Sequence, residues 1–130
     1  MNETRQPRIV VADDDPDTLE CLIEVFSQKG YEVAGCPDGL AAQASIAEMQ
    51  PDLVILDAWM PRMDGITLFE NMRADPRMQN TPIIFFTASS EVLKQRLVAY
   101  KARGAALVVK PDVSSLIRHV QEALAQARAA

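Results

Sequence analysis

Five short apolar runs recur through this 130-residue chain: Ile9–Ala12, Glu32–Cys36, Leu53–Leu56, Pro82–Phe86 and Ala106–Val109, each bounded by Asp, Gly or Pro. Runs this short and β-branched read as strands. The first, third, fourth and fifth are apolar at nearly every position instead of alternating. A strand of that kind needs cover on both faces, which a parallel sheet between two helical layers provides. Those four strands are therefore expected in the sheet's interior.

Between the strands, apolar residues fall at helical spacing: Leu19, Leu22, Ile23 and Phe26; Phe69 and Met72; Leu93, Leu97 and Tyr100; Leu116, Ile117, Val120 and Leu124. Asp15 before Pro16 has the form of an N-cap with proline at the first helical position, and Lys29-Gly30 that of a helix stop. Asp38-Gly39 opens a second, alanine-rich helix with weak periodicity, and the tail AQARAA continues the last one. Strand and helix thus alternate five times, which right-handed crossovers wind into an α/β fold: an open parallel sheet with helices on both faces. No repeat, linker or charge block interrupts the pattern, so one domain over residues 1–130 is expected.

Composition narrows the function. The net charge is −5, with no window dominated by Lys and Arg, so nucleic-acid binding through phosphates lacks its electrostatic basis. Cys21 and Cys36 fit neither a CxxC nor a zinc pattern; Cys21 is assigned to the apolar side of its helix, and both are read as reduced structural thiols. MNETRQPR lacks the apolar core of a signal peptide, and no stretch is long enough to span a membrane, so a cytoplasmic protein is expected.

In open parallel sheets, ligands bind outside the carboxyl ends of the strands. Those ends carry Asp13, Asp14 and Asp15 after the first strand, Asp57 after the third, Thr87 after the fourth and Lys110 after the fifth. Each has an ordinary explanation alone: a solvated turn with Asp15 as cap, a threonine cap, a surface lysine. Four strand ends with complementary polar groups on one rim are harder to explain that way. Converging carboxylates repel one another unless a cation neutralises them, and a few carboxylate oxygens completed by water and phosphate suit Mg²⁺ better than Ca²⁺. Thr87 and Lys110 offer donors for phosphoryl oxygens, which makes Asp57 a candidate nucleophile forming an acyl phosphate.

These residues resemble the receiver domain of bacterial two-component response regulators over roughly residues 8–126. "VVADDDPD" resembles the family's acidic pair, "LVILDAWMPRMDG" its phosphoacceptor segment, "FFTAS" its switch threonine and "VVKP" its lysine. The resemblance implies a flavodoxin-like (βα)5 three-layer sandwich with strand order 2-1-3-4-5. It implies Asp57 as phosphoacceptor, Mg²⁺ held by Asp14, Asp57 and the backbone carbonyl of Trp59, and Asp13 acting mainly through water. It further implies a cis Lys110-Pro111 bond and a phosphohistidine donor on a sensor histidine kinase or a histidine phosphotransfer protein. The module would be a monomer or a weak phosphorylation-dependent dimer, a switch with at most self-phosphotransfer and slow autophosphatase activity, binding neither nucleic acid nor membrane.

Two positions depart from the family. Leu107 stands where an aromatic residue usually swings inward, with Tyr100 as a partial substitute or simply a packed aromatic. Asp112 follows Lys110-Pro111 where an apolar residue is common, and reads as the N-cap of the last helix. Trp59, two residues past Asp57, is placed to slow hydrolysis of the acyl phosphate, or else is an exposed aromatic awaiting a partner. His119 is assigned no phosphoryl role, Asp64-Gly65 a structural turn, and Met60, Met63 and Met72 gap-filling. The alternatives are a receiver-like scaffold that is never phosphorylated, and an aspartate-nucleophile phosphatase, whose DxD signature would need an acid where Trp59 stands.

Overall fold

The computed structural model describes residues 5–88 and 91–129, and within those the side chains of residues 92, 97, 128 and 129 lie outside the description. Five strands and five helices alternate: β1 (Arg8–Ala12), α1 (Pro16–Gln28), β2 (Glu32–Cys36), α2 (Gly39–Met49), β3 (Leu53–Leu56), α3 (Gly65–Ala74), β4 (Ile83–Thr87), α4 (Glu91–Lys101), β5 (Ala105–Val109) and α5 (Val113–Ala129). The strands form one parallel sheet in the order β2-β1-β3-β4-β5, the flavodoxin-like arrangement. Strand β4 begins one residue later than the apolar run, because Pro82 has no N–H to give to the ladder and contributes only its carbonyl, which accepts from Val54 N–H at 3.1 Å.

Successive residues of each central strand feed opposite layers. Val10, Ala12, Val54, Leu56, Ile83 and Phe85 pack with Ala42 and Ile46 of α2, Leu68, Phe69 and Met72 of α3, and Leu93 and Tyr100 of α4. Ile9, Val11, Leu53, Ile55, Ile84 and Phe86 pack instead with Leu22 and Phe26 of α1 and Leu116, Val120 and Leu124 of α5. The helical stripes are thus as expected, except that the side chain of Leu97 lies outside the described residues.

The apolar pattern alone misplaces one strand: β5 is an edge strand, as the strand order implied by the resemblance has it, and its Ala106, Leu107 and Val109 are only half-buried or exposed. Helices α4 and α5 still flank it, so its composition resembles that of a central strand although it has a hydrogen-bonded neighbour on one side alone. Cys21 also needs correction. It is exposed, because it sits one residue, about 100° around the helix, from Leu22 in the buried stripe. Cys36 is the buried thiol, and burial pushes its pKa up despite the contact with the Ser45 hydroxyl at 3.4 Å.

The caps hold as read. Asp15 accepts from Thr18 N–H (3.3 Å) with Pro16 at the first helical position, Asp38 from Ala41 N–H (2.8 Å), Asp64 from Thr67 N–H (2.7 Å) and Asp112 from Ser115 N–H (3.0 Å). Gly30 follows the α1 C-cap at φ 91°, in the left-handed region that favours glycine. At the opposite end of the sheet from these strand-end loops, Arg73 of α3 donates to the carbonyls of Met78, Thr81, Arg103 and Gly104 while lying over the Phe69 ring. It ties the approach to β4 to the approach to β5.

Candidate functional site

Parallel pairing brings the last residues of β1, β3, β4 and β5 to one rim, and there Asp13, Asp14, Asp57, Thr87 and Lys110 meet, with Asp15 beside them as the α1 cap. Asp57 N–H donates to Ala12 O (2.9 Å) and Lys110 N–H to Thr87 O (2.8 Å), so the sheet ladder itself places the next side chains beside one another. Lys110-Pro111 is a cis peptide, as expected.

Asp57 is buried, and among the described residues three donors bond its carboxylate. Its Oδ1 accepts from the Thr87 hydroxyl at 2.8 Å and from Trp59 N–H at 3.2 Å, and its Oδ2 from the Lys110 ammonium at 3.0 Å. Thr87 is wholly buried, so its hydroxyl has no water to turn to. Lys110 also reaches Asp13 Oδ2 at 2.8 Å, and Asp13 Oδ1 accepts from Asp15 N–H at 2.9 Å. This direct pairing of Asp13 with Lys110 is absent from the sequence reading, because which carboxylate a lysine reaches depends on strand offset and rotamer.

One ammonium thus bridges two carboxylates that are 2% and 7% exposed, while Asp14 stands in solvent beside them. Burial raises the Asp13 pKa above the usual aspartate range; the bonds from Lys110 and Asp15 recover only part of it, and the Asp57 charge adds to it. Burial also works against the Lys110 charge, but its bonds to Asp13 and Asp57 outweigh this and hold its pKa above the ordinary lysine value. Carboxylate oxygens of Asp13, Asp14 and Asp57 lie within 4.8 Å of one another. Three carboxylates against a single ammonium leave negative charge over, and the donor set is all oxygen, which fits a hard divalent cation.

The neighbouring residues divide clearly. Trp59 is 48% exposed on the loop after Asp57, at the edge of the acidic cluster. Tyr100 is no substitute for the missing aromatic: it is buried with its ring centroid 4.7 Å from Phe69 and 6.1 Å from Phe85, a core residue. Leu107 is half-buried against the same cluster. His119 lies on α5 with Nδ1 2.8 Å from Ser115 O, beside a cleft lined by Asn80 and Pro82, which precede β4 and so stand at the other end of the sheet. Met60 and Met72 fill the core and Met63 is partly buried, as gap-fillers should be. Among the described residues, no helix is long and apolar enough to cross a membrane.

Comparison with known proteins gives the family and the fold. The family model described as the response regulator receiver domain matches residues 9–121. The DNA-binding dual master transcriptional regulator RpaA of Synechocystis sp. is 30% identical over 119 residues, covering 91% of this chain and 49% of that protein. The DNA-binding response regulator MtrA of Mycolicibacterium smegmatis is 37% identical over 91 residues, 70% of this chain and 39% of its own length. This chain therefore spans half or less of these curated relatives. Among solved structures, the Francisella response regulator 1452 receiver domain superposes with a TM-score of 0.81 at 27% identity, covering 93% of this chain and 98% of that one.

Proposed function

Because the chain belongs to the response regulator receiver domain family, we propose that it is one receiver domain, with a core of about residues 8–126, that accepts a phosphoryl group on Asp57 and changes its affinity for a partner. The observation that carries this reading is the pairing at Asp57, whose two oxygens receive the Thr87 hydroxyl and the Lys110 ammonium. Those donors, with Trp59 N–H, are what a phosphoryl group on Asp57 would require for its own oxygens.

The donor is a phosphohistidine on a sensor histidine kinase or phosphotransfer protein. One Asp57 oxygen forms the new O–P bond as the N–P bond breaks, and the electron pair stays on the imidazole nitrogen, which takes up a proton. Mg²⁺ would be held by Asp14, Asp57 and the Trp59 carbonyl, with Asp13 in support; when bound, it neutralises the carboxylates and the charge on the transferring oxygens. Lys110 balances the same charge from the other side and orients the acceptor. Thr87 gives up its bond to Asp57 and follows the phosphoryl group, which is the local change a partner reads. The core position of Tyr100 and the aliphatic Leu107 leave that readout without the moving aromatic ring of its relatives. The chemistry is self-phosphotransfer with slow autohydrolysis, not turnover of external substrates.

The test is transfer of label from a phosphorylated histidine phosphotransfer protein, or from phosphoramidate as a small N–P donor, in the presence of Mg²⁺. Labelling of the chain is expected, and a role for the exposed Trp59 indole in limiting water at the acceptor predicts faster decay of the label in Trp59→Ala. Rapid hydrolysis of many phosphoesters would favour the phosphatase reading, and no label from either donor the scaffold.

A further inference from the structure

The loop after Asp57 is held at two points by glycines. At its end, a Cβ on Gly65 would stand 2.2 Å from the Asp57 carbonyl oxygen, and Gly65 N–H donates to Ala58 O at 3.0 Å. That contact belongs to the loop's own continuation into α3. The other comes from a different element. A Cβ on Gly39, the first residue of α2, would stand 2.0 Å from the Met63 carbonyl oxygen and 2.7 Å from its carbon. No side-chain rotation relieves a collision with a peptide carbonyl, so residue 39 sets how closely α2 can approach the loop.

The surroundings point the same way. Asp38, which caps α2, also faces the Arg62 guanidinium at 3.9 Å. Arg62 itself holds φ at 71°, a left-handed conformation that is unfavourable for a non-glycine residue and persists only where neighbours fix the backbone. Asn71 of α3 donates to Gln43 of α2 at 2.8 Å and contacts Met63 Sδ at 3.8 Å, so α2, α3 and the loop form one junction.

We propose that Gly39 is a positioning residue for the phosphoacceptor site: the approach of α2 to Met63 fixes the path of residues 59–63 and so the place of the Trp59 carbonyl relative to Asp13, Asp14 and Asp57. The inference rests on the reading that this carbonyl helps hold Mg²⁺. Alanine at 39 pushes the Met63 peptide away, and metal coordination tolerates displacements of only about 0.2 Å. Gly35 is the matched control. A Cβ there would meet Ile23 Cδ1 at 2.4 Å, the end of a flexible side chain, which costs packing without touching the loop.

The experiment is Mg²⁺ titration of the wild-type, Gly39→Ala and Gly35→Ala chains by calorimetry and by Trp59 fluorescence, with metal-free emission spectra recorded first. Gly39→Ala should weaken Mg²⁺ binding about ten-fold or more, in line with other residues that support metal ligands, and shift the metal-free Trp59 emission. Gly35→Ala should lower the melting temperature and leave both unchanged. Equal Mg²⁺ affinity in Gly39→Ala and wild type overturns the inference alone, whereas no binding by wild type overturns the reading of the site and the inference with it. Should Gly39→Ala fail to fold, hydrogen exchange on the wild type decides. Mg²⁺ should slow exchange in residues 39–44 as well as 57–65, because coupling between the two segments is reciprocal; protection confined to 57–65 overturns it.

Discussion

Lys110→Met is expected to cost the metal-free protein about 3 kcal/mol and to slow phosphoryl transfer by a factor on the order of 10² or more. Both effects come from one placement. The ammonium lies 2.8 Å from Asp13 Oδ2 and 3.0 Å from Asp57 Oδ2, and its removal leaves two buried carboxylates facing each other with no cation between them. Methionine keeps most of the stem's volume, so the loss reports charge, not a cavity. Chemical denaturation without and with Mg²⁺ checks the first effect, and Mg²⁺ should recover part of it. Single-turnover labelling from phosphoramidate checks the second. Unchanged stability in metal-free buffer would mean that the bridge carries little of the cluster's electrostatics.

Asp13→Asn should do the opposite to stability. An aspartate whose folded pKa is raised contributes most below its unfolded pKa, near 3.8, and that contribution is lost as pH rises through the folded value. Above its folded pKa the metal-free chain therefore bears the cost of an ionised, buried Asp13. Neutralising it should raise metal-free stability above that folded value and flatten the fall in stability that sets in above about pH 4. Its Oδ1 can still accept from Asp15 N–H, so the turn survives. Mg²⁺ should stabilise the wild type at pH 7 and stabilise Asp13→Asn much less. Thermal melts over that pH range, with and without Mg²⁺, give the result; equal Mg²⁺ stabilisation of both chains would remove Asp13 from the cation site.

These effects trace back to residues visible in the sequence, though not to all of them. The site was legible because a parallel sheet gathers the residues after each apolar run onto one rim, so Asp13, Asp57, Thr87 and Lys110 could be grouped without knowing any distance. The position of β5 was not legible from its composition: an apolar run records helices covering both faces, and α4 and α5 cover an edge strand much as they would a central one. Cys21 failed for a narrower reason, since one residue of error in helical phase turns a side chain by about 100°. The approach of Gly39 to Met63 joins residues far apart in sequence, chiefly through the Met63 carbonyl. A glycine after an aspartate already explains itself as a helix start, and nothing in the residue types announces that a carbonyl from another loop rests on it.

The central claim, that the strand ends assemble one phosphoacceptor with Asp57 as its nucleophile, is tested most directly by mapping the adduct. Incubation of the wild-type chain with phosphoramidate and Mg²⁺ should yield a single base-labile acyl phosphate per molecule, on the peptide containing Asp57, abolished by chelation and absent in Asp57→Asn. An adduct of equal yield in Asp57→Asn, or one mapping to another residue of the wild type, would contradict it.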